Sequence, residues 1–123
     1  MGKTEFSQLI TFLHTGDLAA TRDFYADLLG LSLVRDQGTC IIFKINQGAY
    51  LGFCKHIETI STGRKVILTM VEEDVDGWYQ TLQNHGAEIV SEPQANPDYQ
   101  IYHFFLKDPN GYWIEIQRFD QPL

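Results

Sequence analysis

A block of about 57 residues occurs twice in this chain, and that repeat restricts the fold more than any other feature. Asp17 stands where an N-cap would open a helix at about 17–29, with Phe24, Leu28 and Leu31 at i, i+4 and i+7 and Gly30 as its stop. Asp74 opens a second at about 74–85, where Val75, Trp78 and Leu82 recur at i, i+3 and i+7 and Gly86 ends the pattern. The caps lie 57 positions apart (74 minus 17) and the stops 56 (86 minus 30), so the offset holds through the helix. A β-like run precedes each cap, at 9–14 and 66–71. Three more follow each helix, at 31–35, 40–45 and 49–54, then at 88–91, 101–107 and 112–118. Each copy closes on a turn signal, Asn46-Gln47-Gly48 or Asp108-Pro109-Asn110-Gly111. The expectation is an α+β chain of two βαβββ modules, about 7–55 and 65–119, with eight strands and a polar linker at 56–64.

At 123 residues and 14.1 kDa, the two modules together make a single domain, 1–123. Sixteen acidic against nine basic side chains leave a net charge of −7, which excludes the basic face a nucleic-acid binder needs. No apolar run approaches the roughly 20 residues that span a bilayer, and the first residues lack the apolar core of a signal peptide. A cytoplasmic protein without membrane or nucleic-acid partners is expected. Two cysteines build no disulfide framework or metal knuckle. If the first hairpin turns about Gln47, Cys40 and Cys54 face one another, but a reducing compartment favours free thiols.

Strand alternation divides the hairpins into faces. In the first, Ile41, Phe43, Ile45, Leu51 and Phe53 form an apolar face for the helix, against Cys40, Ile42, Lys44, Tyr50, Gly52 and Cys54 on the other. In the last strand Tyr112, Ile114 and Ile116 alternate with Trp113, Glu115 and Gln117. His103 shares the second face if Phe105 pairs with Glu115. The neighbouring register would turn it under the helix.

The stretch Asp17-Leu18…Phe24-Tyr25…Leu29-Gly30-Leu31 and the ending Asp108-Pro109-Asn110-Gly111-Tyr112-Trp113-Ile114-Glu115-Ile116, set in paired modules, resemble the glyoxalase, bleomycin-resistance and extradiol-dioxygenase (vicinal oxygen chelate) superfamily over about 7–119. The resemblance implies a cup-shaped mixed sheet, commonly completed in a homodimer. It also implies four metal-ligand positions, seven residues before each capping Asp and four after each hairpin Gly. Those positions hold Ile10, Ile67, Gly52 and Glu115, and only Glu115 offers a lone pair. A shift of one residue brings Leu9, Thr11, Val66 or Leu68, no better as ligands. The expectation is therefore no metal and no other cofactor, although a site of His14, His103 and Glu115 stays open.

The cup wall left by this pattern takes Phe12, His14 and Tyr50 from the first module as ligand-binding residues. From the second it takes Thr69, His103, Phe105, Trp113, Glu115 and Gln117. An apolar, aromatic wall with few polar groups suits a small molecule, and aromatic faces take planar or cationic ligands. Glu115 is the candidate catalytic residue or polar anchor; in the plainer alternative it only hydrogen-bonds Thr69 or Gln117. Two functions follow from the resemblance. One is a metal-free binding protein that sequesters an aromatic or cationic compound such as an antibiotic. The other is a lyase, isomerase or dioxygenase-like enzyme using Glu115 with a non-standard metal site or none.

Overall fold

The computed structural model describes residues 6–55 and 66–123. The expected linker at 56–64, the module edge at 65 and His56 lie outside the described residues. The chain forms two compact units, Met1–Ile60 and Ser61–Leu123.

In the first unit, β1 (Leu9–His14) leads through Asp17, whose carboxylate accepts from the Ala20 amide at 3.0 Å, into α1 (Leu18–Arg22). α1 runs on as a π-helical segment, Asp23–Leu28, where a regular α-helix was expected. The wider turn, closed by the Leu29 amide on the Phe24 carbonyl at 3.0 Å, lets two adjacent rings turn inward together. Tyr25 is fully buried, its ring 4.6 Å from Phe53 and 5.6 Å from Phe43, with Phe24 edge-on to it. Gly30, at φ +76°, turns the chain out as the Leu31 amide reaches back to the Tyr25 carbonyl. Then follow β2 (Ser32–Asp36), β3 (Cys40–Asn46) and β4 (Ala49–Cys54). The sheet order is β1-β4-β3-β2, with β1 parallel to β4 and the other pairs antiparallel.

The first hairpin places Cys40 directly opposite Cys54, their Cα atoms 4.1 Å apart, and the two are joined by a disulfide. The expectation of free thiols is corrected here. It rested on compartment, whereas a directly opposed antiparallel pair already holds the two side chains within bonding reach.

The second unit repeats the plan. β5 (Ile67–Val71) is followed by α2 (Val75–Asn84), capped by Asp74 through the Gly77 amide at 2.9 Å and closed before Gly86 at φ +77°. Val75 and Leu82 bury completely, in a unit whose sheet buries Phe104, Leu106 and Ile114. Tyr79 meets Phe104 edge-on, and Tyr102 donates to Asp76 at 2.6 Å, so α2 is tied to its sheet by both apolar and polar contacts. β6 (Glu88–Ile89), β7 (Gln94–Asn96), β8 (Ile101–Lys107) and β9 (Trp113–Phe119) complete a sheet ordered β5-β9-β8-β6, with β7 paired to β8.

The described residues thus hold nine strands where eight were expected. β7 is a short polar segment without the alternation that marks a strand. It pairs with 101–103 after a turn in which Gln100 takes φ +56°. The last hairpin is fixed by Asp108, whose Oδ1 accepts from the amides of Asn110 and Tyr112 at 2.9 and 2.8 Å. That turn sets Lys107 against Trp113, Phe105 against Glu115 and His103 against Gln117. Of the two registers open in the sequence, this one puts His103 on the face away from the helix.

Candidate ligand-binding site

That register builds a three-by-three grid of side chains on the non-helix face of the second sheet. Across β5, β9 and β8 its rungs are Ile67–Trp113–Lys107, Thr69–Glu115–Phe105 and Val71–Gln117–His103. Glu115 is the central square. Its Oε1 accepts from the Thr69 hydroxyl at 2.8 Å, along the rung. Its Oε2 lies 2.6 Å from His103 Nδ1, on the diagonal within reach of a long side chain. Gln117, with its amide nitrogen toward the carboxylate so that donors meet acceptors, adds contacts of 3.0 Å to Oε2 and 3.3 Å to Oε1.

The network is largely shielded from water. The Glu115 and His103 side chains are 12% and 10% exposed, and Gln117 is buried. A carboxylate removed from water needs such donors, since each hydrogen bond to a charged group contributes about 1.5–3 kcal/mol. Beside it runs an aromatic row. His103 meets Phe105 edge-on at 5.3 Å, and Phe105 meets Trp113 likewise at 5.3 Å. The Lys107 ammonium stands 5.9 Å from the Trp113 ring centroid. Lys107 was missed as a site residue, although its even spacing from His103 and Phe105 along one strand marked it for the same face.

The first sheet carries the same grid with different contents. Its rungs across β1, β4 and β3 are Ile10–Tyr50–Lys44, Phe12–Gly52–Ile42 and His14–Cys54–Cys40. The leading rung repeats the Ile–aromatic–Lys order of the second unit. Its centre does not: Gly52 stands where Glu115 does, and the Phe12 ring lies so close that a Cβ at 52 would come within 2.5 Å of it. Tyr50 receives a long contact from the Gln8 amide, at 3.4 Å. The expected residues Phe12, His14 and Tyr50 share this face of the first sheet. The other six, Thr69, His103, Phe105, Trp113, Glu115 and Gln117, come together on the second.

The two units, βαβββ in the first and the same plan with β7 added in the second, each around a mixed sheet, define a glyoxalase-type fold. A family model for the glyoxalase/bleomycin resistance protein/dioxygenase superfamily matches residues 8–116, and the chain belongs to that family. Solved structures agree on the fold. A glyoxalase/bleomycin resistance protein/dioxygenase from Nocardioides is 20% identical at a TM-score of 0.78, over 97% of this chain and 86% of its own. A lactoylglutathione lyase from Agrobacterium tumefaciens is 20% identical at 0.75, over 94% and 96%. TioX from Micromonospora sp. ML1 is 18% identical at 0.75, over 92% and 98%. No curated protein sequence matches the chain.

The residues at the four family metal positions do not fit a transition-metal centre. Ile10 and Ile67 have no lone pair, Gly52 has no side chain and is covered by Phe12, and both oxygens of Glu115 are already engaged. In the second unit His103 directs Nδ1 onto the carboxylate rather than toward a point the two could share. Among the described residues no three His, Cys, Asp or Glu side chains converge.

Proposed function

We propose that this chain is a metal-free small-molecule-binding protein that sequesters a flat aromatic or cationic compound, such as an antibiotic, on the non-helix face of its second sheet. The observation that carries the reading is Glu115: a shielded carboxylate at the centre of the face, bonded to Thr69 and His103 and bordered by Phe105 and Trp113. Its negative charge lies among these groups and favours a cation without needing direct contact, and the rings give the site a stacking surface. The test is emission of Trp113 in a W78F background, titrated with proflavine, a flat cation. A saturable shift is expected at sub-millimolar concentration, weakened about tenfold or more by E115Q, a loss of about 1.4 kcal/mol. No shift, or equal affinity in E115Q, would overturn this reading.

The 2.6 Å contact between His103 and Glu115 favours one second reading, a lyase or isomerase that moves a proton between two atoms of a single ligand. Turnover of a lactoylglutathione-type substrate by the chelator-treated protein, lost in E115Q, would select it over sequestration. Pairing into a homodimer and a cytoplasmic location belong to the same proposal. Such a location has to accommodate the Cys40–Cys54 bond. Thiol alkylation in fresh cell extract would read the state of that bond.

A further inference from the structure

The same three donors that hold Glu115 also limit what it can do. An ionised carboxylate only accepts hydrogen bonds, and both of its oxygens are engaged by neighbours on its own sheet. The atom facing His103 Nδ1 at 2.6 Å is such an acceptor, so Nδ1 carries the hydrogen. In the neutral ring Nε2 is then a bare lone pair. Among the described residues nothing hydrogen-bonds Nε2, and no side-chain nitrogen or oxygen among them is sealed from water without a partner. The ring is held by Glu115 on one side and by the edge contact with Phe105, and its side chain is only 10% exposed.

We propose that His103 Nε2, rather than the Glu115 carboxylate, is the atom that touches the ligand's polar group, and that it takes a hydrogen-bond donor, a hydroxyl or N–H, carried on a flat aromatic. This rests on the ligand-binding reading above and sharpens its ligand class. Glu115 is a positioning residue: it selects the Nδ1–H tautomer and leaves the outward nitrogen an acceptor. A ligand bearing a methyl ether in place of the hydroxyl leaves a shielded acceptor unpaired, and sites built around a donor–acceptor pair discriminate strongly against such analogues.

The experiment pairs 2-naphthol with 2-methoxynaphthalene at about pH 8.5, above the ordinary imidazole range. Two readouts are followed: Trp113 emission in the W78F background, and long-range ¹H–¹⁵N correlation of the histidine rings. H103N identifies the His103 signals by their loss. It keeps an amide donor where Nδ1 was, so Glu115 stays partnered and the chain folds, but it has nothing at the place of Nε2. In the free protein His103 is expected as the Nδ1–H tautomer, with Nε2 resonating as a lone-pair nitrogen and shifting when 2-naphthol is added. The methyl ether is expected to bind at least tenfold more weakly. H103N should make the pair equal, and E115A should return the ring to the Nε2–H form. A protonated Nε2 in the free protein, equal affinities for the pair, or a preference that survives H103N would each overturn the assignment while leaving ligand binding intact. If neither compound shifts the emission or the His103 signals, the binding reading fails and the assignment fails with it.

Discussion

Glu115 and Gly52 take the same square in the two sheets, and the exchange leaves the first face without an acceptor at its centre. The donors around Glu115 are unequal. His103 is shielded and close, whereas Thr69 is exposed, where a hydrogen bond competes with solvent. Replacing His103 with Phe should therefore cost about 1–3 kcal/mol in urea unfolding, because the carboxylate loses its main donor. T69V should cost less than about 1 kcal/mol. A larger loss in T69V than in H103F would reverse that ranking. Much of this site was legible by residue. Glu115 followed from the position four after the hairpin Gly that the family resemblance implies, and Trp113 and Gln117 from alternation. The role of His103 was not, because one residue of register decides whether it meets Glu115 or the helix, and that register is set by Asp108 gripping its own turn.

At the scale of elements, the two caps behave as their sequence context implied: Asp17 and Asp74 each accept a first-turn amide. D74A should cost about 1 kcal/mol in thermal unfolding, the usual cost of a lost N-cap. The Cys40–Cys54 bond closes a loop of sequence separation 14, and reduction or the C40S/C54S pair should lower stability by about 2–4 kcal/mol. An unchanged Tm with and without reductant would contradict this.

Tyr102 links β8 to α2, and its hydrogen bond to Asp76 raises its pKa above the ordinary value of 10.0. The folded state thus favours the protonated phenol. That contribution is fully present below the unfolded pKa and is lost as pH rises through the higher folded one. Y102F should flatten the alkaline fall in stability above about pH 10, as followed by circular dichroism. What stayed illegible at this scale has physical causes. The π-helical turn answers to two neighbouring rings, Phe24 and Tyr25, that both need burial, a demand of packing rather than of period. β7 has no apolar alternation and exists only as a partner for β8.

For the whole molecule, β1 and β5 are edge strands of their sheets and carry exposed apolar side chains, Leu9 at 66% and Val71 at 60% among them. Such edges invite a partner. Sedimentation at micromolar concentration should give a mass about twice the 14.1 kDa of one chain, and a monomer alone would end the dimer proposal. Among the described residues no helix is long and apolar enough to cross a membrane. In the function proposed above, the ligand binds at the Glu115–His103 pair without a metal centre. Isothermal calorimetry of proflavine binding, run before and after exhaustive treatment with EDTA, addresses it most directly. The same saturable isotherm is expected in both, weakened about tenfold in E115Q. Binding that disappears with EDTA and returns with added Zn²⁺, Fe²⁺ or Mn²⁺ would contradict it.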